Sequence, residues 1–167
     1  MIFVKTFPRN KSTFIRLKSF CKEILTLCKN LGVTPIAYGS LIYFGYTRDR
    51  TFPVHDVDFL IPERAYKKLI PVLRKNKLRY RYYQEWHQLH ILKSRMKIDL
   101  DSQEFWQPRL SKRFTFFDFD GLVVKAVSLE SLQKIYKRAS KESKEKPREY
   151  LKKFQTLKGI KLHRGKT

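Results

Sequence analysis

The 167-residue sequence has little cysteine, little glycine and proline, few acidic residues and no long apolar run. Six glycines and seven prolines exclude a collagen-like or low-complexity chain. The longest mostly apolar stretch, residues 35–46, is interrupted by Gly39, Ser40 and Gly45. It is shorter than the ~20 residues that a membrane-spanning helix needs, and the first five residues are too short an apolar run for a secretory signal. We therefore expect a cytoplasmic protein that does not bind membranes.

Cys21 and Cys28 are the only two cysteines. If both lie on one helix, a rise of ~1.5 Å per residue separates their Cα atoms by about 10 Å. A disulfide needs Cα atoms less than ~7 Å apart. We therefore expect two buried free thiols, as is usual in a reducing compartment.

Positive charge is the strongest feature of the composition. The chain has 37 Lys and Arg against 15 Asp and Glu, for a formal net charge of +22. The surplus is concentrated in residues 134–167 and in residues 64–81. Such a field attracts polyanions, which favours a nucleic-acid partner such as tRNA or another RNA. A solvated basic surface has the same composition, and charge alone does not separate these two interpretations.

The order of predicted elements indicates an α+β fold, a mixed β-sheet flanked by helices with a basic C-terminal helical tail. Hydrophobic periodicity predicts strands at 33–38, 56–61, 78–83, 88–93 and 96–101, and a hairpin at 115–127 that turns at Asp120-Gly121. Helices are predicted over 12–30, 41–45, 63–76, 128–139 and 148–158. We divide the chain into a domain, residues 1–142, and a basic helical C-terminal extension, residues 143–167.

The first chemical motif is Gly39-Ser40, at a turn from strand to helix. Glycine allows a ligand to approach the backbone closely, and the start of the next helix offers free N–H groups beside the Ser40 hydroxyl. This combination suits a phosphate, although Gly-Ser pairs at turns are common.

Two pairs of acids follow on predicted strands. Asp56 and Asp58 are two residues apart, so both carboxylates point to one side of their strand. Two carboxylates this close repel each other unless a cation lies between them, and Mg²⁺ fits that requirement. About forty residues later Asp99 and Asp101 repeat the spacing. We expect an antiparallel pairing to bring one of them, preferably Asp99, beside the first pair.

Together, Gly39-Ser40, Asp56-x-Asp58 and Asp99 resemble the nucleotidyltransferase-fold superfamily, of the DNA polymerase beta-like, small or minimal type. The resemblance covers roughly residues 31–102. It implies that Asp56, Asp58 and Asp99 are catalytic and hold two Mg²⁺ ions, and that Gly39 and Ser40 bind the phosphates of an NTP. The reaction would move a nucleoside monophosphate to an acceptor hydroxyl. Arg48 or Arg50 would add a cation at the leaving group.

One departure leaves other functions open. The segment between Ser40 and Asp56 is longer than in many minimal members, and its arginine, aromatic and proline residues are similar to LicD/fukutin-like transferases, which transfer a different phosphorus group on the same fold. A non-catalytic nucleic-acid-binding module that kept the fold is a third candidate. Tyrosines at 80, 82 and 83, interleaved with Arg79 and Arg81, could stack on bases, although such alternation is also typical of a half-buried strand.

Overall fold

The computed structural model describes residues 1–160, in which six helices and eight strands form an α+β domain. The predicted residues 161–167 of the C-terminal extension lie outside the described residues. The helices are α1 (Lys11–Asn30), α2 (Gly39–Thr47), α3 (Tyr66–Lys75), α4 (Gln103–Trp106), α5 (Leu129–Glu142) and α6 (Pro147–Lys158). The strands are β1 (Ile2–Phe3), β2 (Ile36–Tyr38), β3 (Asp56–Ile61), β4 (Arg79–Tyr83), β5 (Gln88–Lys93), β6 (Met96–Ser102), β7 (Phe114–Asp118) and β8 (Val123–Val127).

All eight strands form one mixed sheet in the order β1-β7-β8-β2-β3-β6-β5-β4. The mixed sheet expected from the sequence is therefore confirmed. Strands β4, β5 and β6 are joined as antiparallel neighbours, whereas β3 and β6 run parallel. The β7–β8 hairpin turns at Asp120 and Gly121, both with positive φ, as the Asp-Gly pair predicts.

Apolar side chains fill the space between the sheet and its helices. On one side of the sheet, α3 contacts β4, because Tyr66 packs on Tyr82 with ring centroids 5.2 Å apart and Arg74 Nε donates to the Tyr80 hydroxyl. α1 reaches the same side of the neighbouring strand through an ion pair between Glu23 and Lys93. Cys21 and Cys28 are both buried and free, as expected.

The described part of the C-terminal extension packs on the domain. The Leu157 side chain is fully buried, and the Leu157 carbonyl accepts a hydrogen bond from Gln133 of α5. The ring of Tyr150 stacks on Tyr136 of α5 with centroids 6.0 Å apart. Helix α6 therefore forms one wall of the region that holds the predicted site. Among the described residues, no helix has the length and apolar character to cross a bilayer.

Candidate active site

The register of β3 and β6 places the predicted acids on one face of the sheet. The parallel pairing sets Asp58 opposite Asp99 and Asp56 opposite Lys97. Directly opposed residues in neighbouring strands project to the same side, as do residues two apart in one strand. Asp56, Asp58 and Asp99 therefore share a face, although Asp99 follows the first two by about forty residues in the sequence.

The expectation of an antiparallel pairing was wrong, and helix α3 explains why. After β3, α3 returns the chain along the sheet, so that β4 starts again in the direction of β3. Two antiparallel steps, β4 to β5 and β5 to β6, then leave β6 parallel to β3. Asp99 is brought beside Asp58 by this route.

Gly39 fits closely against Asp58. Its φ is +70°, a conformation that residues with a side chain rarely adopt, and a Cβ atom there would overlap the Asp58 carboxylate. Gly39 and Ser40 are the first two residues of α2, and both line a cleft with Asp56 and Asp58. The phosphate-binding turn and the Asp-x-Asp pair predicted from the sequence are thus adjacent in space.

The cleft has a volume of about 720 Å³ and lies between these residues and helices α5 and α6. Its walls differ in character. The strand and α2 residues include Gly39, Ser40, Asp56 and Asp58, and the residues from α5, α6 and the segment between them include aromatic and charged side chains of both signs, namely Tyr136, Arg138, Glu142, Lys146, Glu149, Tyr150 and Lys153.

Lys153 is a buried cation inside an aromatic cage. Its side chain lies in the cleft wall with only 8% of the residue exposed. The ammonium forms an ion pair with Glu149 at 2.9 Å. It also lies 5.2–5.8 Å from the ring centroids of four aromatic residues, Tyr43, Phe52, Tyr136 and Tyr150. Cation–π attraction and the ion pair with Glu149 together hold this desolvated ammonium in the cleft wall.

Lys97 is a second cation among the acids. Its Nζ lies 2.7 Å from Asp99 Oδ2 and 3.7 Å from Asp56 Oδ2, so its ammonium bridges the two strands. The pKa of Lys97 is raised because its hydrogen bond to Asp99 and the nearby carboxylates outweigh burial, which acts in the opposite direction. On the other side of Asp99, His90 Nε2 lies 3.5 Å from Asp99 Oδ1.

Burial and mutual repulsion act on the carboxyl groups. Burial, and then the charges of Asp56, Asp101 and Asp99, raise the pKa of Asp58 well above its usual range. Burial also raises the pKa of Asp101 to about 6, against the opposing hydrogen bond from the Tyr38 hydroxyl to Asp101 Oδ2. Both shifts favour the protonated form of these carboxyl groups unless a further cation stabilises the charged form.

The donor chemistry of these residues suits a divalent cation, although their arrangement in the structure does not form a metal site. Four carboxylates, those of Asp56, Asp58, Asp99 and Asp101, face one side, and Asp99 Oδ1 and Asp101 Oδ1 are buried oxygens with no hydrogen-bond partner among the described residues. Hard oxygen donors of this kind suit Mg²⁺. Within residues 1–160, no three His, Cys, Asp or Glu side chains stand in an arrangement that could hold a metal. As the side chains lie, Lys97 supplies the cation between Asp56 and Asp99.

Arg48 and Arg50, predicted to assist the leaving group, do not line the cleft. Arg48 follows the last residue of α2, at the opposite end of that helix from Gly39, and its Nη2 donates to the Phe3 carbonyl. The structure therefore does not bring these two arginines to the acids, because α2 runs two residues beyond the predicted end before the loop begins.

Three functional candidates were missed in the sequence, and two of them had a local signal. Lys97 alternates with Asp99, which places it on the same strand face. Lys153 follows Tyr150 by three residues and precedes Leu157 by four, so it lies on the apolar face of its helix. Tyr38 directly precedes Gly39, but its contact with Asp101, 63 residues away, has no local signal.

Solved structures of other proteins share this architecture. The structure matches an antigenic nucleotidyltransferase-like protein from Paracoccidioides brasiliensis with a TM-score of 0.61 and 14% identity, covering 84% of this chain and 74% of that chain. It matches the lincomycin-bound lincosamide antibiotic adenylyltransferase LnuA with a TM-score of 0.58 and 13% identity, covering 84% and 96%. It matches the antibiotic-resistance factor ANT(2″)-Ia with a TM-score of 0.60 and 11% identity, covering 84% and 81%.

These matches establish the fold. The chain has the nucleotidyltransferase fold, as the Gly-Ser turn and the three acids indicated from the sequence. No protein-family model matches the sequence. None of the curated proteins matches it either.

Proposed function

We propose that this protein is a metal-dependent nucleotidyltransferase, which moves a nucleoside monophosphate from an NTP to a hydroxyl group of an acceptor. The observation that carries the proposal is the register of β3 and β6, which sets Asp58 opposite Asp99 on the face where Gly39 packs against Asp58. Acids and a glycine turn at the start of a helix are the two parts that this reaction needs in one place.

Asp56, Asp58 and Asp99 would hold Mg²⁺, with two ions expected by analogy with the fold. When bound, Mg²⁺ would neutralise phosphate charge and lower the pKa of the acceptor hydroxyl. The N–H groups at the start of α2 and the Ser40 hydroxyl bind phosphate oxygens. Lys153 lines the same cleft and takes, in this proposal, the phosphate-binding part that the sequence assigned to Arg48 and Arg50. Asp99 lies opposite Asp58 in the sheet but does not itself line the cleft, and in this proposal it accepts the acceptor's proton once Mg²⁺ replaces the Lys97 ammonium beside it.

The similar structures support nucleotidyl transfer as the reaction class. One is an adenylyltransferase for lincosamide antibiotics, and a structure of ANT(2″)-Ia contains adenylyl-2″-tobramycin. Those acceptors are small molecules. For this chain we propose an RNA acceptor, tRNA or another RNA, because a net charge of +22 favours a polyanion over a small neutral or cationic acceptor. The cytoplasmic location expected from the sequence stays a prediction, and no protein partner is assigned.

The test is to incubate the purified protein with each labelled NTP, Mg²⁺ and total RNA, and to identify which species becomes labelled. We expect labelled RNA from the native protein and none from an Asp58→Asn variant, because the site loses one of its carboxylates. Asp120→Asn is the matched control. It lies in a second Asp-x-Asp sequence, at the β7–β8 turn, where Asp120 pairs with Lys18. An active Asp58→Asn variant that folds normally contradicts the mechanism.

Two other outcomes identify the alternative functions. Turnover of CDP-linked donors, with no turnover of NTPs, would support the LicD-like phosphotransferase. RNA binding that needs no metal and survives replacement of all three acids, with no labelling from any donor, would support the non-catalytic module.

A further inference from the structure

The outer half of the sheet, strands β4, β5 and β6, has two unlike faces. On one face the β5 and β6 side chains are fully buried beneath the helices, namely Leu89, Ile91, Ile98 and Leu100. On the other face Gln88, His90 and Leu92 of β5 and Lys97 of β6 are half-buried, whereas Asp99 and Asp101 of β6 are buried. Edge strand β4 follows the same division, since Tyr80 and Tyr82 contact α3 while Arg79, Arg81 and Tyr83 project to the other side.

This second face is continuous with the candidate active site. One row of paired residues runs across the strands from Arg81 through His90 and Asp99 to Asp58. A parallel row runs from Arg79 through Leu92 and Lys97 to Asp56. Three strand spacings separate β4 from β3, a distance of about 14 Å. A ligand lying across β4, β5 and β6 would therefore end at the acids.

The charges along these rows change sign. Arg79 and Arg81 are exposed, and neither has an acidic group within 4 Å in the described part of the chain. The inner end carries the carboxylates of Asp56, Asp58 and Asp99 around the single ammonium of Lys97. The outer end attracts phosphates and the inner end repels them. A ligand with phosphates toward the outer end and an uncharged hydroxyl group at the inner end has the complementary pattern.

The outer end also offers an aromatic surface. Tyr83 is 37% exposed, and its ring lies 4.9 Å from the His90 ring on the same face. Exposed aromatic rings beside arginines stack on nucleic-acid bases, with little dependence on sequence. The division of the tyrosines between the two faces shows that Tyr83, rather than Tyr80 or Tyr82, is placed for this contact.

We propose that the face of β4 and β5 that carries Arg79, Arg81 and Tyr83 binds the last nucleotides of a single-stranded polynucleotide acceptor and directs its terminal hydroxyl toward Asp56 and Asp58, the acids that line the cleft. Arg79 and Arg81 contact phosphates, and Tyr83 stacks on a base. The inference rests on the proposed function, because it takes the acids as the place where the hydroxyl reacts. It goes beyond the proposed function because it names the strands along which the acceptor lies and says that its hydroxyl end is the one at the acids.

Binding of a fluorescent single-stranded 12-nucleotide RNA, measured without NTP, tests the path independently of catalysis. The variant is Arg79→Ala/Arg81→Ala. The matched control is Lys67→Ala/Lys68→Ala, which removes the same charge from exposed positions on α3, across the sheet. We expect the arginine variant to bind about tenfold more weakly and the lysine control less than twofold. Loss of two phosphate contacts should also lower the slope of log K against log salt by about 1.4 for a single strand.

Tyr83 supplies a second readout that charge does not affect. Tyr83→Ala should weaken binding severalfold without changing the salt slope, and Tyr83→Trp should restore it, because an indole also stacks. A DNA strand of the same sequence, run in parallel, shows whether the face distinguishes the two sugars. Binding of either strand with the stated variant pattern supports the proposal.

Equal losses in the arginine and lysine variants would overturn the proposed path, since they indicate diffuse attraction to the whole surface. Absence of binding to either strand would overturn it as well. The proposed function fails separately, when no donor labels any acceptor. NTP-dependent labelling of a small molecule, together with no polynucleotide binding, would leave nucleotidyl transfer standing and reject this path.

Discussion

At the scale of single residues, a comparison of two glycines separates the effect of the Gly39–Asp58 contact from the effect of the Gly39 backbone conformation. Gly39 and Gly32 have nearly the same φ, +70° and +69°, but a Cβ at Gly32 meets nothing within 4 Å. Alanine at either position should cost about 1–2 kcal/mol for the left-handed conformation. Only Gly39→Ala should also displace the Asp58 carboxylate. We expect nucleotidyl transfer to fall at least tenfold in Gly39→Ala and to stay near the native rate in Gly32→Ala.

Equal rates in the two glycine variants, with comparable unfolding free energies by denaturant titration, would show that the contact with Asp58 has no part in the reaction. A Gly39→Ala protein that does not fold is distinguished by its circular dichroism spectrum.

Lys153, the lysine in the aromatic cage, is the subject of a second prediction at this scale. Lys153→Met keeps the length and apolar stem of the side chain but removes its charge. A hydrogen bond to a charged group contributes about 1.5–3 kcal/mol, so we expect NTP affinity, measured by titration with a fluorescent NTP, to fall by roughly tenfold or more. Lys152→Met is the control, because Lys152 is exposed on the same helix. Unchanged affinity in Lys153→Met would remove this residue from the phosphate site.

At the scale of elements, helix α6 connects the C-terminal extension to the cleft. Its Leu157 side chain is fully buried, whereas Leu151 of the same helix is 44% exposed. Truncating a buried leucine to alanine costs about 2–5 kcal/mol. We expect Leu157→Ala to lose that much unfolding free energy in a denaturant titration, and Leu151→Ala to change it by about 0.5 kcal/mol or less. Equal small effects would mean that α6 does not dock in solution as the structure has it.

The elements also show what the sequence could predict. Strands 56–61 and 88–93 have the same bounds in the prediction and in the structure, because alternation and flanking turn residues are local signals. The direction of β6 relative to β3 was predicted wrongly, because it depends on the combined chain reversals at α3 and at the two connections from β4 to β5 and from β5 to β6. The shared face of Asp56 and Asp58 followed from their spacing alone. The cage around Lys153 did not, since its rings come from α2, the following loop, α5 and α6.

The whole molecule carries a charge imbalance that acts on its stability as well as on its partners. Ion pairs within the described residues are few compared with a net charge of +22 for the full sequence, so repulsion between cations opposes the compact state. The screening length falls from about 30 Å at 0.01 M salt to about 8 Å at 0.15 M. Added salt should therefore weaken this repulsion more than it weakens the short-range ion pairs.

We expect the thermal unfolding midpoint to rise by a few degrees between 0.01 M and 0.2 M NaCl, which corresponds to about 1 kcal/mol for a chain of this size. In a protein whose stability depends mainly on surface ion pairs, added NaCl lowers the unfolding midpoint instead. The same midpoints, measured in NaCl and in a short polyphosphate at equal ionic strength, distinguish screening from anion binding. Screening is set by the ionic strength, whereas binding of the polyvalent anion to the protein would raise the midpoint beyond its value in NaCl. A midpoint that falls with NaCl would show that the positive charges are already offset by their neighbours. The attraction proposed for the sheet face would then lack its long-range component.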